Sequence, residues 1–163
     1  VRNVALEIFP TDAAVKLKVY AVKYSWYCAK LLRRGQRTEA DADRSEAENH
    51  FASFRDKCEG LLSEKSYEDI KLMLLYAGWH AANTRKSEQC RLRHSRKGYE
   101  FDASNHKRKV EEHYKTVLNK GEISETLARN VREMGWGAAW FAANTIFGRD
   151  KEADQQKANL DSH

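Results

Sequence analysis

A six-residue string that occurs twice places the strongest constraint on how this chain can fold. The string Trp-x-Ala-Ala-Asn-Thr occupies residues 79–84 and residues 140–145. Residues 25–29, 78–82 and 139–143 also share one order: a small residue, a tryptophan, an aromatic ring and two further small residues. A period of about 60 residues that covers two helices is typical of stacked helical hairpins. The repeat therefore predicts an all-α fold built from antiparallel helix hairpins.

The scarcity of helix-breaking residues indicates long helices with short connections. The 163 residues include one proline and eight glycines, and both residue types disfavour the interior of a helix. We predict five main helices in a single compact bundle or short solenoid, as one domain over residues 1–149 with a polar tail over residues 150–163. The predicted helices cover residues 11–35 (with Gly35 as the stop), 38–63, 66–90, 105–121 and 124–148, with a loop near residues 97–104.

Apolar residues in the first predicted helix recur at three- and four-residue spacing. Val15, Val19, Val22, Trp26 and Ala29 follow this spacing, which places them on one face of a helix. We expect this face to pack into the core.

The matched tryptophans and asparagines are predicted to be structural anchors. Trp26, Trp79 and Trp140 are each followed by small residues, which leave room for a large ring between closely packed helices. Asn83 and Asn144 stand four residues after a tryptophan and share its helical face. A partly buried asparagine of this kind can fix the register between helices. The alternative interpretation is a ligand pocket built on Trp79 and Trp140.

Charge alternates along the chain, and the most basic stretch is the main candidate for binding. Residues 36–70 carry ten acidic against five basic side chains, whereas residues 85–109 carry nine basic against three acidic. Tyr99 and Phe101 lie inside the basic stretch and could stack on bases. We expect contact with RNA or with an acidic protein surface; the alternative is a solvated face that neutralises residues 36–70. The basic residues are Arg85, Lys86, Arg91, Arg93, Arg96, Lys97, Lys107, Arg108 and Lys109.

The cysteines argue against a secreted, disulfide-bonded protein. Cys28, Cys58 and Cys90 are odd in number and have no paired spacing. We therefore expect a reducing intracellular compartment, either cytoplasm or an organelle matrix, and no disulfide-linked partner. No apolar run reaches membrane-spanning length. Cys90 and His94 have the spacing of two metal ligands on one helix, but no second pair completes a site, so we expect no metal and no cofactor.

One short segment resembles a known family of helical bundles. Residues 76–83, YAGWHAAN, are similar to the Tyr-x-Ala-x-Trp/Phe-His-Ala-Ala string of some HEPN-type proteins, which include nucleotidyltransferase partners and ribonucleases. The ribonucleases carry an arginine followed by a histidine after four to six residues, and Arg44 with His50 and Arg108 with His113 match that spacing. The resemblance implies a helical RNA-processing protein with His50 or His113 as acid and base.

Apart from this resemblance, the sequence lacks recognisable catalytic patterns. It contains no phosphate-binding glycine loop, no Ser-His-Asp candidate and no zinc-protease helix. We therefore expect no catalytic residues and a non-catalytic scaffold or adaptor subunit of a larger protein or ribonucleoprotein complex. Its partners would be other protein subunits, with RNA as a further candidate. The HEPN-like ribonuclease or nucleic-acid binder is the alternative.

Overall fold

The computed structural model describes residues 4–33 and 36–162 and confirms the all-α fold class. No strand occurs among these residues, and one isolated bridge joins Leu6 to Ile123. The helices are α1 (Thr11–Leu32), α2 (Arg37–Cys58), α3 (Glu64–Gln89), α4 (Arg93–Lys120), α5 (Glu125–Ile146) and α6 (Asp150–Asp161).

Capping residues explain where several helices begin and end. The hydroxyl of Ser124 accepts a hydrogen bond from the backbone N–H of Leu127 at 3.0 Å, as expected for the N-cap of α5. Gly121 follows α4 with φ of 70°, a left-handed conformation that favours glycine. The third helix begins earlier than predicted, because Ser63 rather than Ser66 is its N-cap. The prediction that Gly35 ends the first helix lies outside the described residues.

The predicted loop near residues 97–104 is wrong, because α4 runs without interruption from Arg93 to Lys120. A single exposed glycine, Gly98, does not break the helix, since its cost in a helix interior is only about 1 kcal/mol. The second half of α3 lies alongside this segment, and the ring of His80 contacts the carbonyl of Ala103. Packing between the two helices therefore outweighs the local glycine signal.

Three helices form the centre of the bundle, and each of them packs against the helix that follows it. α1, α3 and α5 all contact one another, while α2 packs on α1, α4 on α3 and α6 on α5. Lys30 near the end of α1 binds Asp43 of α2, and Lys23, earlier in α1, binds Glu46, later in α2, so these two helices run antiparallel. The predicted repeat of about 60 residues stays a prediction.

Two glycines permit close approach of the central helices. A Cβ atom added to Gly78 of α3 would lie 3.3 Å from the Cα atom of Ser25 in α1. A Cβ atom on Gly135 of α5 would lie 2.6 Å from a methyl group of Leu74 in α3. Ser25 and Gly78 both directly precede a tryptophan, so α1 and α3 meet there at matched positions.

The buried face of α1 differs from the predicted one. Leu17, Tyr20, Tyr24 and Cys28 are buried, whereas Val15 is 55% exposed. The difference arises because α2, α3 and α5 all pack on α1 and bury a broad side of the helix rather than one stripe. Of the predicted face, Ala29 is fully buried and Val19, Val22 and Trp26 are half-buried, so that face lies at the edge of the buried side.

The polar segment after residue 149 includes an ordered helix that packs on α5. Ala153 and Leu160 of α6 are buried, and a Cβ atom added to Gly137 would lie 3.8 Å from a methyl group of Leu160. Two apolar side chains in an otherwise polar helix are therefore enough to hold α6 against α5.

Candidate functional site

Four exposed cations surround the turn between α3 and α4. Arg91, Arg93, Arg96 and Lys97 are all exposed, and we call them the basic face. The first turn of α4 contains no acidic residue, and its N-cap, Leu92, makes no side-chain capping bond. The positive end of the helix dipole disfavours cations at this end of a helix. The local arrangement of charge at this end of α4 thus does not favour the stability of the helix.

The basic face also exposes two large apolar side chains. Leu92 is 72% exposed and Phe101 is 67% exposed. No ion pair involves any of the four cations of the basic face within residues 4–33 and 36–162. The surface therefore combines unneutralised positive charge with an exposed ring.

The other predicted basic residues have different surroundings. Lys107 and Arg108 are exposed, and Arg108 forms an ion pair of 2.6 Å with Glu112. Lys86 is half-buried, and the ammonium group of Lys109 lies 4.9 Å from the ring centre of Tyr76. These residues extend positive charge along α3 and α4 away from the basic face.

Arg85 belongs to the interior of the bundle rather than to the open surface. Its side chain is 13% exposed, and its Nε atom donates a hydrogen bond of 2.7 Å to Oδ1 of Asn144. Its guanidinium lies 5.0 Å from the ring centre of Trp140 and also binds Glu88. Arg85 therefore joins α3 to α5.

The two predicted asparagine anchors are both nearly inaccessible to solvent, but they bind different groups. Asn144 accepts the hydrogen bond from Arg85. Asn83 donates a hydrogen bond of 2.8 Å to the carbonyl of Trp79 in its own helix, and its amide nitrogen lies 3.4 Å from Nδ1 of His106 in α4. Each asparagine thus contacts a side chain on a neighbouring helix.

The three predicted tryptophan anchors are half-buried and take part in a closed set of ring contacts. Each central helix carries one of these tryptophans with an aromatic residue or histidine directly after it. Each tryptophan packs edge-to-face against that second ring of another central helix. Trp79 and Trp140 also pack against the core, but no ring contact joins them to each other in the described part of the chain. The contacts are Trp79 with Tyr27 at 5.7 Å, Trp140 with His80 at 5.8 Å and Trp26 with Phe141 at 5.7 Å between ring centres.

A cleft that sequence reasoning missed lies between α5 and α6. It has a volume of about 300 Å³ and is lined by Glu133, Trp136, Gly137, Trp140, Gln156 and Asn159. We call it the tryptophan cleft. Trp136 has no counterpart in the repeated string, but its position four residues before Trp140 is the sequence signal for a shared helical face.

His80 holds both indoles of the tryptophan cleft in place. Its ring meets those of Trp136 and Trp140 at 81° and 86°. Its Nδ1 atom lies 2.7 Å from the carbonyl oxygen of Ala103, which can only accept, so Nδ1 carries the proton. Burial lowers the pKa of His80, and the charge of Lys107 acts in the same direction. Burial also lowers the pKa of His106. Both shifts favour the neutral form of the ring.

The histidines of the HEPN resemblance lie on different helices. Nδ1 of His113 is 2.9 Å from the buried carboxylate of Asp69, and the ring stacks on Tyr76. Nδ1 of His50 lies 2.8 Å from the carbonyl oxygen of Glu46, one turn earlier in its own helix. No hydrogen bond, ion pair or ring contact joins His50 to His113 in the part of the chain that the structure describes.

The three cysteines lie in α1, in α2 and directly after α3. All three cysteines are free, with Cys28 and Cys58 buried. Cys90 follows the last residue of α3, whereas His94 lies in the first turn of α4, so the two are not on one helix. Across residues 4–33 and 36–162, no three histidine, cysteine or acidic side chains converge as metal ligands would.

None of the described helices is both long and apolar enough to cross a membrane.

Comparison of the chain with protein-family models, curated proteins and solved structures finds no match. Any functional conclusion therefore depends on the side chains described above.

Proposed function

We propose that this protein is a non-catalytic helical scaffold subunit of a larger protein or ribonucleoprotein complex, and that its basic face binds a polyanionic partner surface. The observation that carries the proposal is the cluster of four exposed cations around the start of α4. In the wider scaffold, we propose that α1–α2, α3–α4 and α5–α6 act as three related hairpins that hold this face rigidly.

The acidic segment of the chain does not compete for the basic face. Acidic residues of α2 pair with lysines of α1 and α3 instead: Lys23 binds Glu46, Lys30 binds Asp43, and Lys71 binds Glu48. These acidic residues therefore form ion pairs with lysines outside the basic face. The positive charge of the basic face can then bind another molecule.

Charge reversal tests the proposal directly. The variant Arg91→Glu/Arg93→Glu/Arg96→Glu/Lys97→Glu lowers the formal net charge by eight units, from +5 to −3. A matched control, Lys115→Glu/Arg129→Glu/Lys151→Glu/Lys157→Glu, makes the same change at exposed positions elsewhere. We expect the first variant alone to elute early from a heparin column and to lose partners captured from extract. Equal losses of heparin retention and of partners in both variants would show that the basic face is not a specific binding site. No loss in either variant would show that the basic face does not bind a polyanion.

A second candidate function is RNA processing by a HEPN-like bundle. The observation in its favour is the pairing of His113 with the buried carboxylate of Asp69, since such a carboxylate can orient a histidine for acid–base chemistry. The variant His113→Ala should then abolish RNA cleavage by the purified protein, and His50→Ala should act with it if both histidines contribute. Absence of cleavage by the wild-type protein would eliminate this candidate.

A further inference from the structure

We infer that the tryptophan cleft is a binding site for a base of single-stranded RNA. The inference rests on the proposed function, because it identifies the polyanionic partner as RNA. Trp136 and Trp140 are both half-exposed and lie one helical turn apart on α5. Gly137 lines the cleft between them, and a methyl group of Leu160 would lie 3.8 Å from a Cβ atom added there. Partly exposed aromatic rings of this kind can bind bases by stacking, with little dependence on sequence.

Contacts within the protein hold the rings of the cleft. His80 contacts both indoles and is itself fixed by its hydrogen bond to Ala103. Arg85 covers Trp140, and the buried side chain of Asn144 holds Arg85. A base that enters the cleft therefore meets an arranged surface, which reduces the entropic cost of binding.

Polar groups at the mouth of the cleft can bind the edge of a base. Gln156 and Asn159 of α6 each provide an amide that both donates and accepts hydrogen bonds. The carboxylate of Glu133 can accept a hydrogen bond from an exocyclic amino group. Aromatic faces combined with such groups match the way in which proteins bind unstacked RNA bases.

The cations near the cleft include one that can bind a phosphate. The guanidinium of Arg85 lies 5.0 Å from the ring centre of Trp140, and the charge of Lys107 acts on His80 beside both indoles. Glu88 already pairs with Arg85, and Glu133 lines the cleft. Lys107 is exposed and forms no ion pair within residues 4–33 and 36–162, so it is the cation that can bind a phosphate flanking the base. Lys107 and the basic face lie on the same helix, ten residues from Lys97, which corresponds to about 15 Å.

The test compares an intact single-stranded RNA with an otherwise identical oligomer that lacks bases. Binding of both to the full chain is measured by fluorescence anisotropy of a terminal label at constant salt. We expect the wild-type protein to bind the intact 12-mer about tenfold more tightly than the abasic 12-mer, the effect of one stacked base. The variant Trp136→Leu should bind both oligomers equally.

A second variant tests the cleft even if Trp136→Leu fails to fold. Gln156→Ala/Asn159→Ala changes a half-buried and an exposed side chain and should lower the preference for intact RNA several-fold. The matched control is Gln155→Ala, an exposed neighbour, which should leave the preference unchanged. Retention of the full preference in both cleft variants would overturn the inference.

The outcomes separate this inference from the proposed function. The charge-reversal variant of the basic face should weaken binding of intact and abasic oligomers alike, since phosphates carry that contact. Equal wild-type affinity for the two oligomers would overturn the cleft inference and leave the basic face as a polyanion site. Failure of the wild-type protein to bind either oligomer would overturn the RNA assignment, while heparin elution would still decide the proposed function.

Discussion

Arg85 donates a hydrogen bond of 2.7 Å from Nε to the buried Oδ1 of Asn144, across 59 positions of sequence. The same guanidinium packs on Trp140. The contact joins two of the three central helices at a position where neither partner has ready access to water. It also separates Arg85 from the four exposed cations of the basic face.

The Arg85–Asn144 contact should be measurable as a coupling energy. Asn144→Ala leaves the Nε of Arg85 without its acceptor and should destabilise the protein by about 1–3 kcal/mol. Arg85→Met keeps apolar contact with Trp140 and removes the donor. A double-mutant cycle from urea unfolding should give a coupling of at least about 1 kcal/mol. Additive effects of the two substitutions would show that the hydrogen bond contributes nothing to stability.

Two glycine substitutions should change the stability of the protein in opposite directions. Gly78→Ala places a methyl group 3.1 Å from the hydroxyl of Ser25 and 3.3 Å from its backbone, so α1 and α3 must separate and the protein should lose stability. A methyl group added at Gly98 has no atom within 4 Å. Gly98→Ala should therefore raise the free energy of unfolding by up to about 1 kcal/mol through helix propensity. Thermal unfolding of both variants checks this pair. Stabilisation by Gly78→Ala would show that the two helices are not in close contact there.

Removal of the anchor tryptophans should destabilise the bundle by less than removal of a fully buried ring. Trp79 is half-buried and packed against the core, so Trp79→Ala should cost about 2 kcal/mol, below the roughly 3–5 kcal/mol typical of fully buried aromatic residues. Trp26 meets Phe141 at the edge of the core, and Trp26→Ala should cost less. Equilibrium urea unfolding measures both, and a larger loss from Trp26→Ala would reverse this order.

The fold class was predictable from the sequence, but the surroundings of several residues were not. One proline in 163 residues leaves few alternatives to helices, and Ser124 and Gly121 mark helix ends through local chemistry. The buried face of α1 was misplaced because three helices pack on it, which local periodicity does not reveal. The surroundings of Arg85 depend on Asn144, a distant partner that only the fold supplies.

Stability should fall as the pH decreases below about 6.5, the ordinary pKa of histidine. Burial lowers the pKa of both His80 and His106 in the folded protein. The unfolded chain therefore takes up these protons first as the pH falls, which favours unfolding. The free energy of unfolding should be smaller at pH 5.5 than at pH 7.5, and His80→Gln/His106→Gln should reduce that difference. An unchanged difference in the double variant would exclude these two groups as its source.

The size of the native assembly tests the scaffold proposal most directly. The chain alone has a mass of 18.9 kDa. In gentle extracts of its source cells, the protein should sediment as part of a much larger particle. The charge-reversal variant of the basic face should shift to smaller particles or to the free chain, while the matched control variant stays in place. A native protein that sediments as a free monomer, with no other molecule retained, would contradict the proposal.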